Sequence, residues 1–312
     1  MSFVSLKCPS LMSRLELPTW GLLALVYGGF GWLTWSYHSL PWWLVSALGG
    51  WLVCWHSQLQ HEHLHGHPTR WPVLNGLLVA PGFGLWLPYL RYRSLHLSHH
   101  AAAALTVPGC DNESLYVDAD RWQRLPRALR GLFWINQTLA GRLLVGPFLT
   151  VLPWLFDEAR RLARGEGQVW LAWLLHALAL APLLYWLFAV CRIPLGGYLL
   201  FFIWPGVSLS LLRSFYEHRP AATAAQASVV VERAGPLGWL FLNNNLHALH
   251  HAAPQLAWYE LPRVYAERRA ELLDANGGFR FEGYGAWVRR YLFRPKDSPV
   301  HPGPSGVAPS IL

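Results

Sequence analysis

Histidines recur in three clusters whose spacing suits metal binding. HEHLHGH runs from His61 to His67, HLSHH from His96 to His100, and HALHH from His247 to His251. On a helix, residues three and four apart share a face. His61 and His65 therefore point together, as do His96, His99 and His100, and likewise His247, His250 and His251. Neutral imidazoles in such sets suit Fe, Zn, Cu or Ni. Eight of them exceed what one ion can use, so two ions are implied. Two irons in such a cage could reduce O2 and remove hydrogen from an unactivated C–H bond, chemistry beyond protein acids and bases alone.

Two other chemistries fit part of the pattern. HEHLH matches HExxH, in which His61 and His65 would bind zinc and Glu62 would act as general base. That membrane zinc protease reading leaves both HxxHH clusters unexplained and lacks a third ligand. A metal transporter would want polar groups along its spans, where His56 and His176 are the histidines available.

The elements that must position these side chains are read from the apolar pattern. Hydrophobic residues make up 53% of the 312 positions and charged residues 13%, against about 25% charged in soluble domains. Together with a mean hydropathy of +0.22 and abundant Trp, this points to a polytopic membrane protein. Apolar runs at Leu17–Tyr37, Leu40–Leu59, Val169–Val190 and Leu195–Leu212 are each long enough to cross a bilayer as a helix. The expected fold is all-α: four transmembrane helices in two hairpins, with a cytosolic helical cap holding the two-metal histidine site. Val73–Leu90, broken by Gly and Pro, reads as a short hairpin or re-entrant segment. The stretch 131–156 reads as an interfacial helix, because Arg142 would be costly in mid-membrane.

The net charge is +8. Its basic segments flank apolar runs, as cytoplasmic loops do, and no base-stacking motif accompanies them. Loop charge puts both termini and all three clusters on the cytoplasmic face. The four cysteines are scattered and form no CxxC pair, which suggests neither a disulfide framework nor a thiolate metal site. The expected organisation is a cytosolic segment over residues 1–16, a membrane domain over 17–294 and a disordered Pro/Gly/Ser-rich tail over 295–312.

In the order and spacing of its boxes, His61–His65, His96–His99–His100 and His247–His250–His251, the chain resembles the membrane fatty acid desaturase superfamily. NNNLHALHH, Asn243 to His251, resembles the family's Asn-rich lead into its last box. SFYEHRP, Ser214 to Pro220, places His218 where relatives supply a further ligand. HGHPTR at 65–70, DNESLY at 111–116 and NGGFRFEGYGAWVRRYLFRPKD at 276–297 are similar to a bacterial branch that includes rhizopine-oxygenase-like proteins.

The resemblance implies two iron ions, O2 as co-substrate, an external electron donor such as a ferredoxin with its reductase, and a location in the bacterial inner membrane. It implies desaturation or hydroxylation of a fatty acyl or other lipid-like chain. A rhizopine-type oxygenase and a terminal-alkene-forming decarboxylase would use the same ligands. Glu62 and Glu217 adjoin ligands and could orient imidazoles. His67 is a candidate beside the metal rather than on it, and Asn244 or Asn245 could hold a water on one ion. His63 points off the His61–His65 face and is not expected to ligate. The reading predicts that His99→Ala or His250→Ala abolishes metal binding in purified protein; wild-type metal content in either variant would contradict it.

Overall fold

The structure, a computed structural model, describes residues 15–303. Most of the expected cytosolic arm and the end of the expected tail lie outside the described residues. The chain is mostly helical, and among the described residues the one paired sheet is a parallel contact of two short strands, Val230–Val231 and Arg280–Phe281. The all-α expectation omitted this pair, which is too short to leave a period-two pattern. The backbone divides into two units. Among the described residues, one takes 15–93, 151–210 and 255–259; the other takes 94–150, 211–254 and 260–303.

The first unit holds the apolar helices. Leu17–Trp35 begins with Pro18 in its first turn, and Thr19 Oγ1 donates to the Glu16 carboxylate at 2.9 Å. Trp42–Leu64 follows and ends on the first histidine box, with His65 just past its last turn. Gly167–Val190 and Leu195–Arg213 are long and apolar enough to cross a membrane, the two helices that meet this standard among the described residues. Leu17–Trp35 and Trp42–Leu64 are helices where spans were expected, but their composition is less aliphatic. The first carries Gly21, Gly28, Gly29 and Gly31 among Trp and Tyr, and the second closes on QLQHEHL.

The broken apolar stretch forms the helix Pro72–Val79 and then an irregular return to Tyr89. Its freed carbonyls are taken by side chains from the neighbouring helices. Tyr27 Oη donates to the Leu78 carbonyl at 2.8 Å, Gln60 Nε2 to Val79 at 3.0 Å and Tyr198 Oη to Phe83 at 2.7 Å. Phe83 also stacks on Phe30 with ring centres 3.9 Å apart. The next helix, Tyr89–His100, is pinned near its start by a buried two-pronged ion pair. Arg91 Nε and Nη2 donate to the Glu158 carboxylate, which also accepts from Trp173 Nε1. Removing one partner of such a buried pair leaves an uncompensated charge.

The second unit holds Arg127–Asn136, Leu139–Leu144, the third-box helix His247–Ala252, Leu261–Ala275 and Tyr284–Tyr291. Residues 295–303, within the stretch expected to be disordered, are laid along this unit. Val117 N donates to the Pro299 carbonyl at 2.9 Å, and His301 N donates to the Val117 carbonyl at 3.0 Å. Tyr116 Oη donates to Asp297 at 2.6 Å. Composition alone missed these contacts because the first two pair backbone groups, which carry no residue-type signature, and the third joins residues far apart in sequence.

Close helix packing in the first unit depends on missing side chains. A Cβ at Gly50 would sit 2.7 Å from Pro205 Cβ, and one at Gly206 would sit 2.5 Å from Val53 Cγ1. Gly50→Val and Gly206→Val are predicted to destabilise the protein by about 1–3 kcal/mol each through overpacking. Gly31→Ala, where a Cβ meets nothing within 4 Å, should unfold at or above the wild-type temperature. Thermal unfolding in detergent compares them; equal midpoints for all three would contradict the packing account.

Candidate metal centre

Within the second unit, seven imidazoles converge through their Nε2 atoms. His99, His218, His247 and His251 form a four-histidine group whose donor atoms all lie within 4.8 Å of one another. His218 Nε2 is 3.2 Å from His99 Nε2 and 3.0 Å from His247 Nε2, which is 3.1 Å from His251 Nε2. Beside it, His100 Nε2 stands 3.0 Å from His96 Nε2 and 3.1 Å from His250 Nε2. In the first unit, His61 and His65 face each other with ring centres 4.9 Å apart.

The split of the HxxHH boxes differs from the expected convergence of each whole box. Helical residues advance about 100° each, so His99 and His100 fall on opposite sides of His96. His100 stays with His96, while His99 joins the His218 group. In the third box His251 stays with His247, while His250 joins His96 and His100. Each box therefore serves two donor groups. His218, implied by the resemblance alone, completes the four-histidine group.

The far nitrogens explain why the Nε2 atoms converge as acceptors. His99 Nδ1 donates to Asp111 Oδ1 at 2.7 Å and His96 Nδ1 donates to Glu113 Oε1 at 2.8 Å. His247 Nδ1 donates to Asn244 Oδ1 at 3.0 Å and lies 3.3 Å from Glu217. A carboxylate holding Nδ1–H leaves Nε2 with its lone pair. Lone pairs aimed at one another at about 3 Å repel unless a cation lies among them. The donor set thus fits metal ions that take imidazole nitrogen.

Electrostatics agree. Burial, followed by the charge of neighbouring histidines, pushes His100 and His218 down to about 3, so both rings stay neutral at physiological pH. His247 and His251 are lowered for the same reasons. Burial also pulls His99 down, but the Asp111 carboxylate outweighs it and the net shift is upward. Asp111 is itself lowered. Burial raises it, but the His99 hydrogen bond and the backbone N–H groups of Thr106 and Glu113 prevail.

The other candidates separate. His63 Nδ1 donates to the Leu59 carbonyl at 2.7 Å and turns off the His61–His65 face, as its position on the helix requires. His67 does not orient an imidazole; it bridges Glu16 at 2.8 Å and the Gln255 carbonyl at 3.2 Å. Glu62 lies 4.0 Å from His61 and accepts from Trp258 N at 3.2 Å. Glu217 Oε1 lies 3.3 Å from His247 Nδ1. Asn244 uses its oxygen on the His247 ring, and Asn245 Nδ2 donates to the Val231 carbonyl at 2.7 Å.

Sequence reasoning did not assign Asp111 and Glu113. Both lie in DNESLY, which entered only through the resemblance. The available signal was a pair of carboxylates in a turn just after the second box.

A model of the fatty acid desaturase family matches residues 37–284, most of the chain and all the histidines above. No curated protein matches the chain. Asp111→Ala and Glu113→Ala are predicted to weaken metal binding on the order of 10–100-fold. Asp118→Ala, at an exposed helix cap, should leave it unchanged. Competition with a chelator measures this, and equal retention in all three variants would contradict the orienting role.

Proposed function

Because this chain belongs to the fatty acid desaturase family, we propose that it is a membrane-bound di-iron oxidoreductase that uses O2 to desaturate or hydroxylate a fatty acyl or other lipid-like chain. The observation that carries the reading is the convergence of seven Nε2 atoms into two adjoining donor groups. In this reading His99, His218, His247 and His251 hold one iron. His96, His100 and His250 would hold the other. Bound there, the irons supply the reduction of O2 and the abstraction of hydrogen from an unactivated carbon.

The protein's own groups prepare that chemistry. Asp111, Glu113 and Asn244 keep a proton on Nδ1 of His99, His96 and His247, so that the opposite nitrogen remains a donor throughout turnover. Burial of His96, His99, His247 and His250 limits water around the donors. The active face is cytoplasmic and the membrane is a bacterial inner membrane. Electrons arrive from a separate acidic carrier such as a ferredoxin, for which the exposed Arg121, Arg124 and Arg127 form a basic landing surface. Desaturation and hydroxylation share the first hydrogen abstraction and differ in whether a second hydrogen leaves or oxygen is retained.

The protein expressed with a ferredoxin and its reductase should alter whole-cell lipids in an O2-dependent way. Mass spectrometry should show loss of two hydrogens or gain of one oxygen, and neither change should occur with His218→Ala. Reversing charge at Arg121, Arg124 and Arg127 should slow turnover several-fold at unchanged metal content. Proteolysis that needs zinc and no O2 would overturn the oxidative reading.

A further inference from the structure

We propose that Arg142, with Lys296 nearby, forms a binding site for a small or chain-terminal carboxylate. Arg142 is among the most deeply buried side chains, at 1% exposure. Its Nε donates to the Asn136 carbonyl at 3.2 Å. Its Nη1 and Nη2 are buried with no hydrogen-bond partner among the described residues. The side chain lies over the Phe215 ring at 5.7 Å, which supplies attraction but no acceptor. A guanidinium keeps its charge in proteins, so burying it with two donors unmet is costly. Burial lowers Arg142 to about 10, which leaves it cationic at neutral pH.

A second cation shares the place. The Lys296 ammonium lies 5.8 Å from the Phe215 ring centre, 4.7 Å from Tyr216 and 5.5 Å from Tyr116. Burial, then the Arg142 charge, pushes it down to about 7. The carboxylate next in sequence, Asp297, partly offsets that shift, but both of its oxygens already accept hydrogen bonds. One oxygen accepts from Tyr116 Oη and the other from Ser298 N. Asn136 Oδ1 and Gln137 Oε1 are also buried without a partner among the described residues. Asn136 stands next to Arg142: a Cβ on Gly146 would lie 3.1 Å from its Oδ1 and 3.0 Å from Arg142 Cδ. The neighbourhood is therefore polar, and the two guanidinium nitrogens within it still lack an acceptor.

Carboxylate is the chemistry that fits. With Nε spent on a backbone carbonyl, the guanidinium offers the edge formed by Nη1 and Nη2, whose two N–H groups match the two oxygens of a planar carboxylate. The surrounding Phe215, Tyr116 and Tyr216 rings suit an alkyl carboxylate better than a fully hydrated tetrahedral anion. Lys296 and Asp297 are half-buried, the more accessible side of this place. Both lie beyond the residues matched by the family model.

The test is calorimetric titration of the full-length protein in nonionic detergent with octanoate, with octanol and inorganic phosphate as comparison probes. Octanoate should bind saturably and more tightly than either. Arg142→Gln and Lys296→Met should each weaken octanoate at least ten-fold while leaving octanol binding unchanged. Wild-type metal content in each variant certifies its fold. If Arg142→Gln fails that check, Lys296→Met, at the half-buried position, decides alone. Octanoate binding no tighter than octanol, unchanged affinity in the correctly folded variants, or tighter binding of phosphate would each overturn the assignment. The readout is binding rather than turnover, so the outcome stands apart from that of the oxidative reading.

Discussion

The structure of the second unit turns on mutual repulsion among imidazole lone pairs. Seven Nε2 atoms meet at neighbour distances of 3.0–3.2 Å, and acceptors fix the proton on the far nitrogen of three of the rings. Bringing unsatisfied acceptors together in a buried place is unfavourable unless a positive ion takes their electron pairs. The elements around them can be understood as holding that arrangement ready. The second-box helix fixes two donor directions at once, because residues three and four apart straddle a common line. The third-box helix, though only six residues long, does the same from the other side.

Holding the rings at the correct angle falls to a loop and a strap. Asp111 and Glu113 lie on an irregular segment without a helix or sheet to stiffen it. Its order comes from Thr106 N on Asp111 Oδ2 at 2.8 Å and from the returning chain end, where His301 Nε2 meets Thr106 Oγ1 at 3.1 Å and Val117 pairs with Val300. The segment from Lys296 to His301 thus links metal-ligand orientation to the buried Arg142 region through Tyr116, whose hydroxyl holds Asp297. Polar contacts at the end of the chain act on the histidines through two intervening residues.

Much of the metal centre was legible in the sequence because imidazole spacing on a helix is local geometry. HxxxH and HxxHH state which rings share a face without any tertiary information. What spacing alone did not convey was the division of each HxxHH box between two donor groups, which depends on where the neighbouring boxes lie. His67 looked like part of the first box but follows Gly66, whose φ of 105° ends the helix, and its ring turns to Glu16. Asp111 and Glu113 were missed because they follow the second box in an irregular turn that has no spacing rule, and the ordered part of the tail because its partners are distant in sequence or are backbone atoms. Arg142 was legible as an anomaly, a lone cation in an apolar stretch. The structure buries it beside Phe215. The helices were read well, but the first two are richer in Gly, Trp and polar ends than the aliphatic pair Gly167–Val190 and Leu195–Arg213.

The central claim is that these histidines hold two irons close together. Mössbauer spectroscopy on protein grown with iron-57, combined with elemental analysis per chain, tests it most directly. The account predicts close to two irons per chain, with nitrogen-rich high-spin parameters and magnetic coupling between them when oxidised. A single uncoupled ion, or zinc filling the histidines in place of iron, would contradict it.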